Sequence, residues 1–250
     1  MKILACYSIK GGVGKTASAV NIAYWAAKSG RKTLLLDLDP QGASSFYFRI
    51  KSSPKKNWGG RFFKAYGQIL KQIKESDYDN LDVIPGHLSF RNFDILLQQI
   101  GRRKNRLRQV LKGLKKEYDL VILDCPPSIS QLAENIFTAA DLVLVPVVPT
   151  TLSERTFDQL TKFFKHEDYN RKKLVPFFTM VDGRKQLHQQ TAISMRKRYK
   201  RFLRNAIPYS TDVEKMGIHR TPIDIFARGK RANKAYLALW MEIDRVMKDS

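Results

Sequence analysis

The sequence predicts an α/β fold, an open and mostly parallel sheet with helices on both faces. Compact apolar runs alternate with helix-spaced segments along nearly all of its 250 residues. The apolar runs are continuous rather than alternating, as in strands buried on both faces. The first of them ends in a glycine-rich turn that leads straight into a helix.

The elements follow in order. Ile3–Ser8 is a short apolar strand, and Thr16–Lys28 follows with helical spacing through Val20, Ile22, Ala23, Ala26 and Ala27. Thr33–Asp37, Leu81–Ile84, Leu120–Asp124, Leu142–Pro146 and Leu174–Val181 read as further strands. Leu107–Lys116, Ser130–Ala139, Ser153–Phe164 and Leu187–Leu203 read as helices, and Arg231–Lys248 as a closing helix. Short connections favour adjacent parallel pairing. Ser44–Ser76 is the least regular stretch, basic and aromatic. No internal repeat or linker divides the chain, so residues 1–250 are expected to form one domain.

Hydrophobic residues at 43% and charged residues at 27% suit a soluble globular protein. Lys and Arg number 45 against 23 Asp and Glu, a net charge of +22. Such an excess points to a polyanionic partner, either nucleic acid or an acidic membrane surface. Cys6 and Cys125 both lie in apolar strand-like runs and read as buried thiols in a reducing cytoplasm. The N-terminal apolar stretch is too short for a signal peptide, and no run is long enough to span a membrane.

The strongest signal is KGGVGKT, Lys10–Thr16, between a strand and a helix. Such a loop turns successive backbone N–H groups around phosphate oxygens. Gly11, Gly12 and Gly14 permit torsions and close approach that a Cβ would block. The helix that begins near Thr16 points its N-terminal dipole at the same anion. Lys15 can reach the β- and γ-phosphates, and the Thr16 hydroxyl can ligate Mg²⁺. Val13 and Ala17 complete the loop that faces the nucleotide. ATP and Mg²⁺ are the cofactors this pattern implies.

The ordinary pattern opens with glycine, whereas this one opens with Lys10. That substitution resembles the deviant P-loop of the ParA/MinD family of positioning ATPases, and the chain resembles that family from end to end. In the family, the lysine matching Lys10 crosses a dimer interface to the phosphates held by the other subunit. A cation supplied in trans stabilises charge on the transferring phosphoryl group, and comparable arginine fingers are worth roughly 10³–10⁵ in rate.

Two acidic motifs follow strands. DLDPQG, Asp37–Gly42, resembles the family's first switch segment. The resemblance gives Asp39 the role of positioning or activating the attacking water and places Asp37 near the Mg²⁺ shell. Asp39 could also simply form a turn ahead of Pro40. Asp124 ends LVILD before CPPS and fits the Walker B carboxylate, which holds Mg²⁺ from the carboxyl end of a strand. TMVDGR (Thr179–Arg184) and IPYS (Ile207–Ser210) resemble the family's adenine-side loops, putting Met180, Asp182 and Pro208 near the base. Ordinary strand-end packing is the alternative there.

The positive charge is clustered. Arg49–Lys74 and Arg102–Lys116 each hold eight cations and no acid. In Ser194–Arg204, helical spacing arranges Arg196, Lys197, Lys200, Arg201 and Arg204 around a helix whose other side carries Met195, Tyr199, Phe202 and Leu203. Arg228, Lys230 and Arg231 open the last helix. Such patches bind phosphate backbones without reading sequence. A solvated face unrelated to DNA is the alternative.

The resemblance implies an ATP-dependent homodimer, nonspecific double-stranded DNA, and a ParB-like or adaptor protein that stimulates slow hydrolysis. It implies a cytoplasmic, nucleoid-associated protein of the short ParA type, without an N-terminal helix-turn-helix module. The likeness is faintest over residues 43–106. Ala17 departs from the second Thr or Ser common in relatives, which leaves Thr16 as the metal ligand. Competing readings are a MinD-like membrane switch, through Ala235–Lys248 as an amphipathic helix, an iron–sulfur electron-transfer ATPase, and a nonenzymatic ATP-gated scaffold. The membrane reading is disfavoured by Glu242 and Asp244 within that helix, and the cluster reading by Cys6 lying in the first strand.

Overall fold

The computed structural model describes residues 1–52, 58–63, 66–101 and 104–249. Its centre is a seven-stranded sheet of β1 (Lys2–Cys6), β2 (Thr33–Asp37), β3 (Lys74–Glu75), β4 (Leu81–Ile84), β5 (Leu120–Asp124), β6 (Leu142–Val147) and β7 (Leu174–Phe178). The order is β3-β4-β2-β5-β1-β6-β7. Every pair is parallel except β3 with β4. The expected open, mostly parallel sheet is therefore present.

The helices are α1 (Lys15–Lys28), α2 (Ala43–Tyr47), α3 (Trp58–Phe62), α4 (Tyr66–Leu70), α5 (Phe93–Gln99) and α6 (Arg106–Leu111). They continue with α7 (Gln131–Ala139), α8 (Thr151–His166), α9 (Gln186–Arg198), α10 (Thr211–His219), α11 (Ile223–Phe226) and α12 (Arg231–Lys248).

Strand side chains alternate between two separate cores, which is why the strands read as unbroken apolar runs. Ile3, Ala5, Leu34, Leu36, Val121 and Leu123 face the core built with α5–α9. Leu4, Cys6, Leu35, Leu120 and Ile122 face the core built with α1 and α12. In α12, Tyr236, Leu239, Trp240, Ile243 and Met247 are all buried, so its apolar stripe is spent on the sheet. Among the described residues, no helix is long and apolar enough to cross a membrane.

Several boundaries differ from expectation. Leu107–Lys116 divides into α6 and a 3₁₀ turn over Lys112–Lys116. The run Leu174–Val181 leaves the sheet after Phe178, and Val181 instead bridges Pro208. Leu187–Leu203 is corrected most: α9 stops at Arg198, so Lys200, Arg201 and Arg204 lie on the following turn rather than around the helix. The cause is tertiary. The Leu203 amide donates to the Pro176 carbonyl at 2.8 Å, drawing the chain back to the sheet. Arg196 then donates to the Leu203 and Arg204 carbonyls at 3.4 and 2.9 Å. Met195 and Leu203 are core residues, with Tyr199 and Phe202 half-buried beside them. Of the two basic runs, Lys55, Lys56, Lys64, Arg102 and Arg103 lie outside the described residues.

Candidate functional site

The carboxyl ends of β2, β5 and β1 lie side by side at the centre of the sheet, where ligands bind in open parallel α/β folds. Three chemically distinct segments emerge there: residues 8–14 after β1, Asp37–Gly42 at the end of β2, and Asp124 at the end of β5.

The loop after β1 leaves a run of backbone amides without partners. Among the described residues, the backbone amides of residues 11–17 donate no hydrogen bond; the Ser18 amide is the first to do so, to the Gly14 carbonyl at 3.0 Å. These free N–H groups, at exposed positions for Gly11 and Gly12 and at buried or half-buried ones from Val13 to Ala17, form a run that fits an acceptor. Gly14 caps α1 in the left-handed conformation, φ 83°, with no side-chain cap to satisfy the first turn. A Cβ there would stand 3.3 Å from Thr179 Oγ1 and 4.0 Å from Met180 Cε. The loop thus packs closely under Thr179 and Met180.

Lys15 is buried, and its ammonium donates to the Lys10 carbonyl at 3.1 Å, which holds it over the same loop. Burial lowers its pKa, and the Asp124 carboxylate nearby works against that shift. Lys10 differs. Its amide donates to Ser8 Oγ at 3.2 Å, and its own ammonium has no hydrogen bond or ion pair among the described residues. It is half-exposed at the mouth of the loop.

Asp124 is fully buried, and neither carboxylate oxygen has a hydrogen-bond partner among the described residues. The Thr16 hydroxyl lies close by, short of a well-formed hydrogen bond, and favours the ionised form. Burial pushes the Asp124 pKa well up, and the charge of Asp37 adds to the rise. A dry carboxylate with both oxygens free is unstable unless a cation or proton compensates it. A hydroxyl, a carboxylate and phosphate oxygens form the donor set Mg²⁺ prefers in nucleotide sites. Thr16 and Asp124 fit that metal.

Asp37 pairs in register with Asp124 across β2 and β5. One of its oxygens accepts from the Ser45 amide at 3.0 Å and the Ser45 hydroxyl at 2.8 Å, and the other from the Asp39 amide at 3.2 Å. Its carboxylate therefore organises the start of α2. Ser45 Oγ also accepts from the Gly86 amide at 3.0 Å. Asp39 projects from the turn between β2 and α2, where its carboxylate accepts from the Gln41 amide at 2.9 Å. Ser45 and Gly86 were not singled out from the sequence. The signal for Gly86 was its place just after the carboxyl end of a parallel strand.

The adenine-side candidates meet near this loop. Met180 adopts φ 52° above Gly14. Val181 and Pro208 form a parallel bridge, closed by the Val181 amide to the Ile207 carbonyl at 3.1 Å. Asp182 is engaged by Arg184 through Nε and Nη2, both at 3.0 Å, which holds its pKa down at about 2.

The C-terminal cations fall into two groups along α12. Arg228, Lys230 and Arg231 are exposed at its N-terminus, with Arg228 3.8 Å from Asp224. Lys200, Arg201 and Arg204 are exposed near Glu242, about 16 Å further along the helix axis at 1.5 Å per residue, and Lys197 is exposed on the last turn of α9. Arg196 is committed to the α9 turn and to the face of Phe178, 5.1 Å from its centroid.

Comparison with known proteins identifies the family. Residues 1–175 match the family model described as an AAA domain. The chain is similar to the sporulation initiation inhibitor protein Soj of Bacillus subtilis, 30% identical over 247 residues, covering 97% of this chain and 98% of that protein. It is likewise similar to the chromosome partitioning protein ParA of Caulobacter vibrioides, 30% identical over 253 residues, covering 97% of this chain and 94% of that protein. Among solved structures, it superposes on cobyrinic acid a,c-diamide synthase from Mycobacterium smegmatis with bound ATP analogue and magnesium. That match has a TM-score of 0.83 and 25% identity, covering 99% of this chain and 96% of that one. A glycine cradle of free amides, an unpaired lysine at its mouth and relatives matched over nearly their whole length lead to one assignment: the chain belongs to the ParA/MinD family of P-loop ATPases.

Proposed function

We propose that this chain is a ParA-like positioning ATPase: it dimerises on ATP, holds DNA without sequence preference, and releases it after hydrolysis stimulated by a partner protein. The observation that carries the reading is the run of free amides over residues 11–17, flanked by Lys10 and Lys15.

The chemistry assigned to each group follows from its position. The free amides, the N-terminus of α1 and Lys15 bind the phosphates. Thr16 and Asp124 would hold Mg²⁺, which would supply charge neutralisation to the phosphates. Asp39, on the turn that Asp37 organises, orients the attacking water. Lys10, with a free ammonium at the rim, is available to the phosphates of a second copy. Met180, Asp182 and Pro208 flank the base.

Loss of the γ-phosphate contacts relaxes the Asp37–Gly42 segment, and the dimer separates. The exposed cations on the α9–β7 side and at the start of α12 support a phosphate-backbone partner, and with it a nucleoid-associated location. The burial of the α12 apolar stripe favours this over a membrane-docking helix. Cys6 and Cys125 are buried on opposite sides of the sheet, which disfavours a shared metal cluster.

The test is binding to unrelated duplexes with ATP, with ADP and without nucleotide, across a salt titration. The proposal expects tight, strongly salt-dependent binding with ATP alone. Equal binding in all three states, or none at low salt, would defeat it.

A further inference from the structure

We propose that Arg220 is a positioning residue for ATP hydrolysis: together with Arg49 it clasps α2, and through α2 it fixes the turn that carries Asp39.

The two arginines share an unusual backbone. Arg49 (φ 58°) and Arg220 (φ 52°) both sit in the left-handed region. Arg220 occupies it as the C-terminal cap of α10, a position where glycine is the default because it lacks a Cβ. A non-glycine residue there carries a conformational cost and points to a task for its side chain.

That task is visible in the contacts. Arg220 Nε donates to the Phe46 carbonyl at 3.2 Å, and its guanidinium lies over the Phe46 ring, 4.5 Å from the centroid. Arg49 answers from the other side, donating from Nη2 to the His219 carbonyl at 3.1 Å. The Arg49 amide also donates to the Phe46 carbonyl at 3.1 Å. The last turn of α2 and the last turn of α10 are thus joined reciprocally.

One side of this clasp is fixed. The Ile223 amide donates to Asn21 Oδ1 at 3.0 Å, and Asn21 Nδ2 donates to Met216 Sδ at 3.3 Å. Asn21 belongs to α1, the helix whose first turn forms the phosphate cradle. The other side leads to the water-positioning candidate in two backbone steps. The Phe46 amide donates to the Gly42 carbonyl, and the Gly42 amide donates to the Asp39 carbonyl, both at 3.0 Å. Arg220 therefore ties the Asp39 turn to the P-loop helix without touching a nucleotide.

The inference rests on the ATPase reading above, and its test separates the two. In Arg220→Gly the left-handed cap is retained without steric cost while the side chain is removed. Arg220→Lys retains charge and reach but not the planar stack, and Arg49→Ala opens the other half. The expected result for Arg220→Gly is a fall in kcat on the order of tenfold, with KM for ATP changing less than about twofold because the cradle is intact. Arg220→Lys recovers part of the loss, and combining Arg220→Gly with Arg49→Ala adds less than the sum. In the nucleotide-free full chain, hydrogen exchange at the Ser45–Phe48 amides rises in Arg220→Gly while exchange within α1 is unchanged. Wild-type turnover in Arg220→Gly, or a raised KM at constant kcat, overturns the positioning role. Unchanged exchange at residues 45–48 overturns the clasp itself. A wild-type chain that hydrolyses no ATP overturns the functional reading, and the exchange measurement still decides the clasp.

Discussion

Asp37 and Asp124 stand in register at the ends of adjacent strands, both without solvent exposure, yet only Asp37 is satisfied. Ser45 and the Asp39 amide occupy Asp37, while both oxygens of Asp124 are free. One carboxylate builds the turn, and the other waits for a cation.

Asp124→Asn should therefore separate stability from activity. The native side chain is a buried charge beside a like charge, so the substitution leaves the nucleotide-free thermal midpoint unchanged or higher. It should abolish the stabilisation conferred by MgATP, which for the wild type reaches about 2.7 kcal/mol at a hundredfold excess over Kd. Calorimetry with and without MgATP checks both halves.

Gly86→Ala should disturb the Asp39 turn from behind. A Cβ at Gly86 would lie 2.5 Å from the Asp39 carbonyl oxygen, 2.9 Å from Gly42 Cα and 3.0 Å from Asp37 Cγ. Those neighbours are backbone or a fully engaged side chain, so relief requires a shift of the turn. The expected cost is about 1–3 kcal/mol of stability, with kcat reduced more than ATP affinity. Chemical denaturation and steady-state kinetics on the same preparation measure the two.

A pH dependence is expected from Asp224, which joins α1, α11 and α12. Burial alone would raise its pKa, but Lys28 at 2.6 Å, Asn233 at 2.6 Å and Tyr24 at 2.9 Å donate to it and bring it below its ordinary value. The native state then binds the proton less readily than the unfolded chain, whose value is near 3.9. The stability contributed is complete at neutral pH and is lost as pH falls through the depressed native value. Asp224→Asn should cost about 1–3 kcal/mol at neutral pH. Lys28 is 39% exposed, so most of that loss comes from the stranded Asn233 and Tyr24 rather than from the ion pair. The difference between variant and wild type should shrink on acidification below the ordinary carboxylate range, read from denaturation midpoints.

The basic surface yields a salt-dependence prediction. Arg201→Glu and Arg204→Glu remove exposed cations from the turn after α9. Each should weaken binding to unrelated duplexes alike and reduce the slope of log K against log salt by about 0.9 per lost phosphate contact. Fluorescence anisotropy over a salt series gives the slope.

The sequence displayed its parallel strands clearly because they are buried on both faces, so Leu34–Leu36 and Val121–Leu123 appear as unbroken apolar runs, whereas the two-residue edge strand β3, exposed at Glu75, left no such signal. The phosphate loop was legible for a local reason: Gly14 must adopt φ 83° directly before a helix. Elements fixed by distant contacts were not legible. The short α2 depends on Asp37 and on Arg220, far away in the chain. The end of α9 at Arg198 was hidden because Phe202 and Leu203 continue a helical apolar spacing while packing against β7 from a turn. The Ser45 and Gly86 partners of the Asp39 turn belong to the same class, since their roles arise only when β4 is laid beside β2.

The most direct test of the central claim is the mass of the Asp39→Ala protein in solution with ATP, with ADP, and with ATP after a second substitution, Lys10→Ala. With hydrolysis blocked, a dimer is expected with ATP and a monomer with ADP. Lys10→Ala should bind ATP yet remain monomeric, because its ammonium serves the other subunit's phosphates. A monomer in all three conditions, or an ATP dimer indifferent to Lys10, would contradict the account.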